Sequence, residues 1–95
     1  MLLETKNITV VGMGHTGIAT ANFLVSKKAF VTIIDSRPRV KLEKNILSLS
    51  TGLKMLFECS EVPPISDLIV LSPGVDINSS FLEKSHEKGI EIISE

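Results

Sequence analysis

Short runs of aliphatic and β-branched residues punctuate the chain at regular intervals, and segments of helical period lie between them. Residues 7–12 (Asn-Ile-Thr-Val-Val-Gly) read as a first strand, and 30–35 (Phe-Val-Thr-Ile-Ile-Asp) repeat the pattern. Residues 67–72 (Asp-Leu-Ile-Val-Leu-Ser) and 90–94 (Ile-Glu-Ile-Ile-Ser) follow, with a weaker candidate at 53–57 (Leu-Lys-Met-Leu-Phe). Several of these runs are nearly continuous in apolar residues rather than alternating. Strands covered on both faces look like this, so the pattern predicts a parallel sheet under helices. Ile18, Ala21 and Val25, with Leu24 beside them, mark a helix from about His15 to Lys28. Leu42, Ile46 and Leu49 mark a second, at i, i+4, i+7. Ser80-Phe81-Leu82-Glu83 has the spacing of a capping box opening a third, and Lys88-Gly89 suits its end. Pro63-Pro64 belongs to a loop. Strand–helix alternation with short connections gives right-handed βαβ units. The expected fold is therefore α/β: a three-layer α/β/α Rossmann-like domain with a five-stranded parallel sheet in the order 3-2-1-4-5.

Composition narrows the function more than the fold. The 95 residues suffice for a single domain. Ten basic and eleven acidic residues give a net charge of −1, without the basic excess of a nucleic-acid footprint. No apolar run approaches the ~20 residues that span a bilayer, so no membrane association is expected. One cysteine, Cys59, allows no internal disulfide and no Cys/His cluster for a metal. The amino terminus does not read as a secretory signal, and the cytoplasm is the expected location.

The chemistry concentrates in one turn. Gly12-Met13-Gly14-His15-Thr16-Gly17 is a GxGxxG placed directly after the first strand and opening the first helix, the context that gives this motif its meaning. Gly12 permits the tight turn, Gly14 lets backbone approach a ligand, and Gly17 lets helix and strand pack closely. The free amides of the first helical turn make an anion site suited to phosphate or diphosphate. Thr16 adds a hydroxyl, while His15 by itself is more simply an exposed turn residue. A triphosphate loop, GxxxxGK[ST], is absent from the 95 residues.

Two further loops meet this turn beyond the carboxyl ends of the strands, where such sheets bind ligands. Asp35-Ser36-Arg37 ends the second strand. Asp35 lies 18 residues after Gly17, near the ~20 expected of an acidic residue that grips a ribose; the plainer role is a turn cap. Arg37 suits a phosphate, a base or solvent alone. Ser72-Pro73-Gly74 ends the strand at 67–72, with small residues against which a base or sugar fits.

Residues 10–19 (Val-Val-Gly-Met-Gly-His-Thr-Gly-Ile-Ala), Asp35-Ser36-Arg37, 67–75 (Asp-Leu-Ile-Val-Leu-Ser-Pro-Gly-Val) and 88–92 (Lys-Gly-Ile-Glu-Ile) together resemble the amino-terminal domain of the D-glutamate-adding Mur ligases of bacterial peptidoglycan synthesis. The resemblance covers nearly the whole chain. It implies a three-domain parent that uses ATP and magnesium, in which this domain holds the uridine diphosphate end of UDP-N-acetylmuramoyl-L-alanine and contacts a central domain. By position it implies that Gly14, His15, Thr16 and Gly17 meet the diphosphate. Asp35, Ser36 and Arg37 would flank the uridine, and Ser72, Pro73 and Gly74 would line the same pocket. No catalytic residue and no metal ligand is implied within the chain, and no site is assigned between Val40 and Ile65. The ATP loop and the amino-acid domain of the family are missing, so the chain by itself is expected to bind rather than react. Two other readings fit the residues: an NAD(P)-binding domain of a dehydrogenase or channel regulator, and a non-catalytic interaction module with a vestigial glycine turn.

Overall fold

The computed structural model describes residues 2–94. The run at 7–11 forms β1 (Asn7–Val11), and its pairing organises the rest of the sheet. It is flanked on one side by β2 (Phe30–Ile34) and on the other by β4 (Leu68–Leu71), both parallel to it. β3 (Lys54–Leu56) adds outside β2, and β5 (Glu91–Ser94) outside β4. The result is one five-stranded parallel sheet in the order β3-β2-β1-β4-β5, as the sequence predicts.

Each central strand is buried on both faces, and successive side chains alternate between two cores. Ile8 and Val10, Val31 and Ile33, and Leu68 and Val70 share one cluster with Ile18, Ala21 and Leu24 of α1 (His15–Ser26). Val11, Ile34, Ile69 and Leu71 share the other with Leu82. Helical segments thus cover both faces, which is why these strands contain so few polar residues. Thr9 is the polar exception in β1. It is buried, and its hydroxyl pairs with that of Ser66 at 2.6 Å, so neither hydroxyl is stranded in the core.

Two helices are shorter than their apolar spacing suggests. The second is a 3₁₀ turn at Arg39–Lys41 followed by one α turn, α2 (Glu43–Ile46). Leu42 is fully buried, and Ile46 and Leu49 pack on the same core, so the i, i+4, i+7 contacts form without a long helix. The segment beyond α2 is instead tied down by Asn22 of α1, whose side chain donates to the Ser48 carbonyl (2.8 Å) and accepts from the Ser50 amide (2.7 Å). The third begins as a 3₁₀ turn, Ser80–Leu82, and continues as α3 (Glu83–Glu87). The capping box does not form: Ser79 holds the cap position, and no side chain caps either segment. Gly89 ends the helix as expected, its amide reaching the His86 carbonyl at 3.0 Å.

Candidate functional site

The carboxyl ends of β1, β2 and β4 lie side by side, because Val11 is in register with Ile34 and with Leu71. The three loops that follow them are therefore neighbours, as the sequence requires. They surround an open cavity of about 350 Å³, lined by Gly12 and Gly14, by Asp35, Ser36 and Arg37, and by Ser72, Pro73 and Gly74.

The glycine turn is built from backbone packing. Gly12 takes a left-handed φ of +108°, open to glycine and strained for other residues. Its amide donates to the Ile34 carbonyl at 2.8 Å, fixing the turn to β2. Gly17 is buried against it: a Cβ at Gly17 would lie 1.9 Å from the Gly12 carbonyl oxygen and 2.7 Å from Ser72 Oγ. Ser72 is buried, and its hydroxyl donates to the Gly12 carbonyl at 3.2 Å, so its first role is to brace the turn.

Gly14 is different. Its backbone is extended (φ −78°, ψ −178°), a conformation any residue adopts, and a Cβ there would meet nothing within 4 Å. It occupies the cap position of α1, where no side chain supplies a cap hydrogen bond. The first amides of a helix have no intrahelical acceptor, so this end of α1 offers donors and a partial positive charge beside the cavity. His15 and Thr16 are exposed in that first turn. His15 also borders a second groove between α1 and α2.

Asp35 joins the turn to the second loop. Oδ2 accepts from the Met13 amide (2.8 Å) and from Arg37 Nη2 (2.9 Å). Oδ1 accepts from the Arg37 amide (2.9 Å) and from Arg37 Nε (3.0 Å). The aspartate side chain is 5% exposed and that of Arg37 50%. Burial pushes the Asp35 carboxyl upward, but the Arg37 side chain, the two amides and the arginine charge together outweigh it and hold the group below its ordinary value. The same contact raises the Arg37 guanidinium. A carboxyl lowered in the folded state stabilises fully above its unfolded value near ~3.9, and that contribution disappears as pH falls through the folded value. Asp35→Asn should therefore reduce the loss of stability from about pH 4 downward. Urea melts of both proteins across that range check it; equal slopes would discount the clasp.

The structure also recruits residues that sequence reasoning passed over. Cys59, Ser60 and Phe81 line the cavity. Asn45 donates from Nδ2 to the Met13 carbonyl at 2.9 Å, bracing the turn from α2. Their signal is long-range: Cys59 arrives because its amide bonds the Asp35 carbonyl at 3.0 Å, an extension of the β2–β3 pairing. Among the described residues, no group of three or more His, Cys, Asp and Glu is placed to hold a metal ion. Among the described residues, no helix is long and apolar enough to cross a membrane either.

A parallel sheet in this order, with a glycine turn opening a helix at its carboxyl edge, defines a Rossmann-like domain. The solved 3-hydroxyacyl-CoA dehydrogenase of Archaeoglobus fulgidus has the same fold over 94% of this chain and 33% of its own (TM-score 0.57, 18% identity). The chain belongs to the family described as Mur ligase MurD-like, N-terminal domain, whose model matches residues 6–94. It is similar to UDP-N-acetylmuramoylalanine–D-glutamate ligases of Geobacter sp. strain M21 (38% identity) and Trichlorobacter lovleyi (37%), each match covering the whole chain and 22% of the relative. The enzyme of the same name from Mannheimia succiniciproducens is 36% identical over 97% of the chain and 21% of its own length. The chain thus spans about a fifth of the length of these relatives.

Proposed function

We propose that this chain is the domain that holds the uridine diphosphate end of UDP-N-acetylmuramoyl-L-alanine for an ATP-dependent ligase that adds D-glutamate in the cytoplasm. The observation that carries the reading is Gly14. Neither its backbone angles nor its protein neighbours require a glycine, yet it sits at the rim of the cavity and at the positive end of α1. A missing side chain there leaves room for something outside the chain, and bare helix amides favour an anion. Gly14, His15, Thr16 and Gly17 take the diphosphate in this reading. Ser36, Arg37, Pro73 and Gly74 face the uridine, with Asp35 and Ser72 behind them.

The family membership and the names of the relatives support the substrate and the chemistry. The residues present do not fit ATP and magnesium: the chain has no GxxxxGK[ST] loop and, among the described residues, no acidic cluster for a cation. This domain's part is to bind and orient, while ATP, magnesium and the acceptor amine belong to the remaining length of the parent enzyme. The dehydrogenase likeness is one of fold and does not favour a dinucleotide reading.

Titration with UDP, followed by amide NMR, is the direct test. Amides of residues 14–17, 36, 37, 72 and 74 should shift at millimolar UDP, with NADH failing to displace it. Unmoved amides, or preference for NADH, would overturn the assignment.

A further inference from the structure

Resting on that reading, we propose that Asp35 is a positioning residue that clamps the glycine turn and aims Arg37, so that the site takes its nucleotide without gripping the ribose 2′-hydroxyl. A carboxylate offers about four lone-pair sites. All four have donors here: Met13 N–H and Arg37 Nη2 on one oxygen, Arg37 N–H and Nε on the other. A ribose diol needs one of those acceptors. Releasing Met13 strands an amide on a residue that is itself fully buried, and a buried donor left without a partner is costly. Releasing Arg37 breaks a two-pronged, charge-assisted contact.

The main chain of Asp35 is also held. Its amide donates to the Leu56 carbonyl at 3.1 Å, and its carbonyl accepts from Cys59 at 3.0 Å. The Glu58 amide reaches the Arg37 carbonyl at 3.1 Å. The loop is thus zipped to the end of β3, and the carboxylate cannot advance into the cavity without undoing that pairing. What the clamp presents outward is the half-exposed guanidinium edge of Arg37, fixed by its own aspartate. The nucleotide is then recognised by its diphosphate and its base, and the sugar hydroxyls are secondary.

The test compares UDP with 2′-deoxy-UDP on the 95-residue chain by NMR titration. Dissociation constants within about twofold of each other are expected. A loss of tenfold or more for the deoxy compound would overturn the proposal, and this arm needs no variant that must fold. A second arm uses the ligand-free protein. In Asp35→Ala, hydrogen exchange at the Met13 amide should accelerate at least tenfold relative to Val10 and Ile33 in the sheet, and affinity for UDP and 2′-deoxy-UDP should fall by one common factor. Unchanged Met13 exchange in a folded variant overturns the clamp. If neither nucleotide moves any amide of the wild-type chain, the uridine diphosphate reading fails, and Met13 exchange decides the clamp independently.

Discussion

Gly17→Ala should remove a large share of the chain's folding stability. One added methyl group would sit 1.9 Å from the Gly12 carbonyl oxygen, well inside contact distance, and 2.7 Å from Ser72 Oγ. Neither neighbour can retreat. Gly12 is held by its amide bond to the Ile34 carbonyl, and Ser72 by its amide bond to the Val11 carbonyl, at 2.8 and 3.0 Å. Relief therefore requires α1 to lift from the sheet, with Ile18, Ala21 and Leu24 leaving the core. A cost of about 3–5 kcal/mol is expected, in the tail reserved for steric faults in cores. Domains of this size have only about 5–15 kcal/mol in total. Urea denaturation measures it, and a midpoint within about 0.5 M of wild type would mean that the helix tolerates the shift.

Gly14→Val should behave in the opposite way. The extended backbone at residue 14 accepts a β-branched residue, and no protein atom lies within 4 Å of the new Cβ. Stability should change by no more than about 1 kcal/mol, the cost of replacing a glycine at a helix cap by valine. Affinity for UDP should fall at least tenfold, which is about 1.4 kcal/mol, because the side chain occupies the approach to the first amides of α1. Thermal melts with and without UDP separate the two effects, since a ligand that binds only the folded state raises the melting point. A Gly14→Val protein that UDP still stabilises as it does wild type would remove the diphosphate from this turn. Two glycines three residues apart in one motif thus lack a side chain for different reasons: Gly17 so that α1 packs on the sheet, and Gly14, in the proposed reading, so that a ligand reaches the helix amides.

The sheet was legible because its information is local. β1, β2 and β4 are apolar on both faces, and that pattern occurs only where helices cover both sides. The glycine turn was legible for the same reason, since strand, turn and helix are contiguous. What escaped were features made by contacts across long stretches of chain. The apolar spacing of Leu42, Ile46 and Leu49 resembles a helix, yet Asn22 captures the backbone of Ser48 and Ser50 and ends it early. Nothing near Asn22 or Asn45 in the sequence announces these partners, which lie 26, 28 and 32 residues away. The spacing of Asp35 from the glycines placed it at the cavity, but spacing carries no account of valence. Only in the folded chain do Met13 and Arg37 come to engage both of its oxygens.

The strand order has a further consequence for biosynthesis. β1 is the first strand to be made and lies at the middle of the sheet, between β2 and β4. Its second neighbour begins at Leu68, 60 residues after Ile8, its partner in register. At translation rates of ~5–20 residues per second, β1 waits ~3–12 s with one apolar flank open. Such non-local parallel pairing also slows the folding step itself. During that interval the nascent chain depends on its β1–α1–β2 unit, in which β1 pairs with β2 and α1 covers one face, to keep its aliphatic strands from other chains.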